Sequence, residues 1–157
     1  MTSPDPVDGR RFRAILLANP IVAAPLAGLT DYPFRRILRD FTDGLIHTEM
    51  ISTEAAAFRS PRTDRMMATI SEEPPPVAIQ IMGGRVEPMR RALPRIAALA
   101  PALIDINMAC PVPKIVRSGG GAALLNDPAR GAALVRVARE ETGLEITVKI
   151  RLGFRDD

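Results

Sequence analysis

One cysteine and one histidine stand among 157 residues, and there is no tryptophan. A single cysteine excludes an internal disulfide framework and a cysteine-rich zinc site. With one histidine besides, no Cys-His pair lies close in sequence and no metal-ligand spacing is present. Aromatic residues are only 4%, so a core must be built from Val, Ile, Leu, Ala and Met. No run approaches the ~18 apolar residues of a membrane span. What is present is the profile of a globular chain, 46% hydrophobic and 25% charged. The length suits one domain with a real core. The lone thiol fits a reducing cytoplasm. The net charge of +3 permits a polyanionic partner without requiring one.

Five short apolar runs have strand length: "IVAAPLAG" from Ile21, "GLIHTEM" from Gly44, "PVAIQIMGG" from Pro76, "ALIDINMAC" from Ala102 and "EITVKIRLG" from Glu145. Several are β-branched and bounded by Gly or Pro. Helical spacing fills the gaps. "TDYPFRRILRDF" offers Thr30 or Asp31 as N-cap with proline in the first turn. The stretch from Ser52 to Met67 reads as a less regular helix. "RVEPMRRALPRIAALA" is a helix that Pro94 should kink. "NDPARGAALVRVAREETG" has Asp127 to cap it, Pro128 to start it and Gly143 to stop it. "SGGGAALL" lacks the lysine of a phosphate loop and reads as a flexible lid or turn. Residues 1 to about 10 read as a loose tail. "RRFRAILLANPIVAAPLAG" is loosely like an export signal, but Pro20 and Pro25 interrupt it and Asp5 and Asp8 precede it.

Alternating strands and helices imply a parallel sheet with crossover helices. Two architectures satisfy that order. A dinucleotide-binding open sheet wants a Gly-rich turn after its first strand. Here that turn is "APLAGLTD", with one glycine. A (β/α)8 barrel instead gathers its chemistry at the C-terminal strand ends. That is where this chain places polar residues: Glu49, Gln80, the pair Asp105 and Asn107, and the face shared by Thr147, Lys149 and Arg151. Burying such groups costs several kcal/mol unless they are satisfied, so four strands ending this way point to a ligand site. Each residue alone has a plainer reading. Lys149 could pair with Asp105, Gln80 could be a satisfied core amide, Cys110 an inert buried thiol, and His47 is read as structural.

Five segments in register, "APLAGLTDYPFR", "TEM", "VAIQIMG", "DINMACPVPKIVRSGGGAALL" and "VKIRLG", make the chain resemble the tRNA-dihydrouridine synthases, and its spelling the B-type bacterial subgroup. The resemblance runs from about Ile21 to Phe154. It implies a flavin-binding (β/α)8 TIM barrel, of which residues 1–157 supply about the first five strands and four helices. The later half-barrel and a helical RNA-binding domain would lie outside this chain, and its open sheet edges would promote self-association.

By the same resemblance the cofactor is FMN, the reductant NADPH and the partner tRNA, in the cytoplasm. Hydride reaches C6 of a flipped-out uracil, and Cys110 is the general acid that protonates C5. The chemistry suits a thiol, which is mostly protonated at neutral pH. Pro25, Leu26 and Ala27 would lie against the flavin, and Gln80 and Lys149 would hydrogen-bond its ring. Asn107 would contact the uracil, Arg151 the substrate or flavin edge, and Lys114 RNA phosphate. Where the family has glycine before the cysteine, this chain has Ala109, which would be strained at positive φ. Two other readings stand beside this one: a flavin barrel acting on a small molecule, and a non-catalytic fragment. The former class lacks the "CPxxK" loop.

Overall fold

The computed structural model describes residues 9–154; the first eight residues of the expected tail lie outside them. All the strands are parallel, and they follow one another across the sheet in chain order. β1 (Ile46–His47) and β2 (Ile51–Ser52) lie end to end along one edge of β3 (Val77–Met82). β3 pairs with β4 (Leu103–Asn107), and β4 with β5 (Ile146–Lys149). Strand order never reverses, as it would in a doubly wound sheet. The arc is that of an opened (β/α) barrel.

Ile21–Gly28 contributes less than its apolar run suggests. Its contact with the sheet is one parallel bridge, Ala23 to Ile46. Ala23 donates to the Leu45 carbonyl at 2.9 Å and accepts from the N–H of His47 at 3.2 Å. Pro20 and Pro25 flank the bridge and have no N–H to extend the ladder.

The crossover helices cover the outer face. They are α2 (Tyr32–Arg39), the pair α3 (Thr53–Ala57) and α4 (Pro61–Met67), α5 (Val86–Ala97) and α7 (Pro128–Thr142). Their caps are those the sequence offers. Asp31 accepts from Phe34 N and Asp127 from Arg130 N, while Gly143 closes α7 at φ 63°. Where one irregular helix was expected, Arg59 at φ 54° separates two short ones. Pro94 lies within α5, the helix extending past it to Ala97. Ile79, Ile81, Ile104 and Ile106 pack against Met89, Leu93, Ile96, Leu134 and Val137 from α5 and α7. This aliphatic layer is the main core. On α2, buried Arg35 pairs with Glu73 and donates to the Thr30 carbonyl, tying the helix to the lead-in of β3.

The inner face, the barrel lumen, is stratified. At the bottom Leu45, Ala78, Ala102 and Leu103 form a small apolar cluster. It is covered by Phe12 and Ile15 of α1 (Arg10–Ala18), a helix formed by the run that loosely resembles an export signal. The N-terminus of α1 has no side-chain cap of its own. The nearly buried Glu145, just before β5, accepts from Phe12 N at 3.1 Å. A carboxylate there suits the positive end of the helix. Above the apolar layer the lumen-facing residues of β1, β4 and β5 are polar, as is Gln80 of β3. No helix among the described residues is long and apolar enough to cross a membrane.

Candidate active site

Strand alternation aims His47, Gln80, Asp105, Asn107, Thr147 and Lys149 into the lumen, because their neighbours are the isoleucines and valine of the outer face. The register places Gln80 beside Asp105, Asp105 beside Thr147, and Asn107 beside Lys149. The middle of this layer is one hydrogen-bonded chain. Thr147 Oγ1 donates to Asp105 Oδ1 at 2.7 Å, and Gln80 Nε2 donates to Asp105 Oδ2 at 2.6 Å. Asn107 Nδ2 donates to Gln80 Oε1 at 2.9 Å and lies 3.1 Å from Met50 Sδ. Asn107 Oδ1 then accepts from the N–H groups of Ala109 at 3.1 Å and Cys110 at 2.9 Å.

Gln80 is thus fully buried with both ends of its amide engaged. The Lys149–Asp105 ion pair offered as a plainer reading is not formed. Asp105 takes its hydrogen bonds from Gln80 and Thr147, and Lys149 sits at the exposed end of β5.

Cys110 is half-buried and held through its backbone at both ends. Its N–H is fixed by Asn107, and its carbonyl accepts from Ala122 N at 2.9 Å. Pro113 opens α6 (Pro113–Arg117), a turn of helix directly after the cysteine loop. The glycines behind it are not a lid. Gly120, Gly121 and Ala122 are buried. Gly121 has φ +57°, and a Cβ there would stand 2.5 Å from the Cys110 carbonyl oxygen. A Cβ on Gly84, after β3, would overlap the backbone of Gly119. Glycine is required at both places because main chain meets main chain. Ala109 takes no positive φ, so the alanine brings no strain.

The turn after Pro25 is equally fixed. Leu26 exchanges hydrogen bonds with the Thr30 hydroxyl, and Gly28 N donates to Glu49 Oε1 at 2.6 Å. On its lumen side lies a cavity of about 270 Å³. Val22, Ala24 and Pro25 form its apolar wall, and His47, Asp105, Thr147 and Lys149 its polar one. Ala27 turns the other way, into an open cavity of about 640 Å³ that also holds Glu49, Arg62 and Lys114. Arg151 stands apart, lining a third hollow with Pro111, Pro113 and Phe154. Leu26 is half-exposed. The expected residues therefore do not share one pocket: Pro25 and Lys149 line one cavity, Ala27 and Lys114 another, and Arg151 a third.

His47 is buried, and its Nδ1 lies 3.0 Å from the Ala23 carbonyl. That bond keeps the proton on Nδ1. Burial lowers its pKa; nearby Asp105 and the Ala23 carbonyl oppose the shift, and Lys149 adds to it. As pH falls, the unfolded chain takes up this proton first. The stability His47 contributes is therefore present above about 6.5 and lost as pH drops below it. Thermal melts from pH 7.5 to 5 should show the midpoint falling with pH, and His47→Asn should flatten that part of the slope. An unchanged slope in the variant contradicts the assignment.

Parallel strands in chain order, helices outside and polar strand ends around one rim define the (β/α)-barrel class. A family model described as dihydrouridine synthase matches residues 21–157. The chain belongs to that family. Among its curated relatives is a probable tRNA-dihydrouridine synthase of Rhodobacter capsulatus, 32% identical over 92% of this chain and 44% of the relative. The probable tRNA-dihydrouridine synthase 1 of Synechocystis sp. is 35% identical over 91% of this chain and 40% of its own length. The tRNA-dihydrouridine synthase B of Pseudomonas aeruginosa is 34% identical over 90% and 42% respectively. The chain thus spans less than half the length of these relatives.

Proposed function

We propose that the protein carrying this segment reduces uridine to dihydrouridine in tRNA, in the cytoplasm, with FMN as cofactor, NADPH as reductant and Cys110 as general acid. The observation that carries the reading is the fixing of a lone thiol at the strand-end rim, beside a lumen whose polar layer ends in Lys149. The 270 Å³ cavity suits a flat heteroaromatic ring, with an apolar wall at Pro25 and one ammonium opposite. The chemistry FMN supplies when bound is hydride transfer.

This chain's residues do the rest. Val22, Ala24 and Pro25 exclude water from one face, with Leu26 and Ala27 completing the turn. Lys149 offsets negative charge on the reduced ring. Gln80 would offer the ring its second amide hydrogen while keeping its bonds to Asp105 and Asn107. Asn107 and Arg151 orient the base, and Cys110 delivers a proton to C5. Lys114, beside Arg62 in the larger cavity, meets RNA phosphate.

The test is spectroscopic. In the full-length protein NADPH should bleach the flavin band, and unmodified tRNA should restore it while fully modified tRNA should not. Restoration by both alike, or by neither, overturns the reading. The uncovered edge of β5, with Ile150 and Leu152 exposed beyond it, adds a corollary for the 157-residue chain. It should self-associate in sedimentation velocity; a monomer over a hundredfold concentration range contradicts this.

A further inference from the structure

Asp105 is 4% exposed and lines the wall of the 270 Å³ cavity without a role assigned above, yet it is the one carboxylate in the lumen's hydrogen-bonded chain. The chain has a direction. At one end the N–H groups of Ala109 and Cys110 belong to the backbone and can only donate, so Asn107 must turn its oxygen to them. Its NH2 group then faces Gln80, which must answer with Oε1. That leaves Gln80 Nε2 pointing at residue 105, where an acceptor is needed. An ionised carboxylate can only accept, while the Thr147 hydroxyl serves as either donor or acceptor.

We propose that Asp105 is a positioning residue for the cysteine loop: by giving Gln80 Nε2 its acceptor, it orients Gln80 and Asn107 so that Asn107 Oδ1 holds Ala109 and Cys110. The thiol at the tip of β4 is thereby anchored to β3 and β5. The inference deepens the reading of Cys110 as the acid, but its test reads the loop and not the reaction. Failure of the proposed chemistry would leave this result untouched.

The test is hydrogen exchange resolved to single amides. Asp105→Leu removes the acceptor, and protection at Ala109 and Cys110 should fall about tenfold relative to the amides of β3, the scale of one lost hydrogen bond. Asp105→Asn should keep protection, because its amide oxygen can face Gln80 while its NH2 donates to the Thr147 hydroxyl. Gln80→Glu sets two carboxylates face to face and should free both loop amides. Adding Asp105→Asn to Gln80→Glu restores every bond of the chain, since the amide introduced at position 105 donates to the carboxylate introduced at position 80 and still accepts from Thr147. Protection should return.

The proposal is overturned if Asp105→Leu leaves both amides as protected as in the unmodified chain. It is equally overturned if Asp105→Asn frees them, or if the double variant fails to regain what Gln80→Glu lost. Should Asp105→Leu or Gln80→Glu not fold, recovery of folding and loop protection in the double variant decides the matter.

Discussion

In the full-length protein, Cys110→Ala should lower dihydrouridine formation by about 10² to 10⁴, the usual cost of removing a general acid. Flavin content and reduction by NADPH should not change. The structural reason is separation. Cys110 hangs from Asn107 and Ala122 through its own backbone, which alanine retains. Its side chain is not among those lining the cavity beside Lys149. The substitution takes away a proton and little else. Turnover at the unmodified rate would return Cys110 to the plainer reading of an inert thiol. Loss of flavin would make it part of the cofactor pocket.

Lys149→Ala should separate the other way. Lys149 closes β5 beside Asn107 and supplies the cation of the 270 Å³ cavity. Without it, affinity for the flavin should fall by about tenfold to a hundredfold, the scale of a hydrogen bond to a charged group. Activity should recover as FMN is added. Titrating apoprotein with FMN by fluorescence quenching measures this directly. Unchanged affinity would remove Lys149 from the ring. Because it forms no bond to Asp105, the fold should tolerate its loss, and the melting midpoint should stay near that of the unmodified protein.

Much of the outer layer was legible from the sequence because its signals are local. The runs at Val77–Met82, Leu103–Asn107 and Ile146–Lys149 set isoleucine or valine on the outer face at every second position, and the helix caps at Asp31, Asp127 and Gly143 sit where residue type favours them. What stayed hidden depends on tertiary placement. Ile21–Gly28 reads as a strand, yet its flanking prolines and a two-residue neighbour leave a single bridge. α1 has only Phe12 and Ile15 on its packed side, too few to announce an amphipathic helix, and its N-terminus is served by a carboxylate 133 residues away. The glycines 119–121 look flexible because a sequence does not show the backbone of Gly84 and Cys110 pressed against them.

The polar strand ends were visible, but not their order. Only the register reveals that Gln80 is consumed by Asp105 and Asn107, and that Asn107 faces the loop. Arg151 and Lys114 were placed with the site by resemblance; in the structure they flank the cysteine loop from separate hollows.

The central claim is that this rim reduces uridine in RNA. Unmodified tRNA should be incubated with the full-length protein, FMN and NADPH, then digested to nucleosides and weighed. The account predicts uridine gaining about two mass units, as addition of a hydride and a proton requires, and no such product from the Cys110→Ala protein under the same conditions. Uridine unchanged in mass, with the flavin bound and reduced, would contradict it.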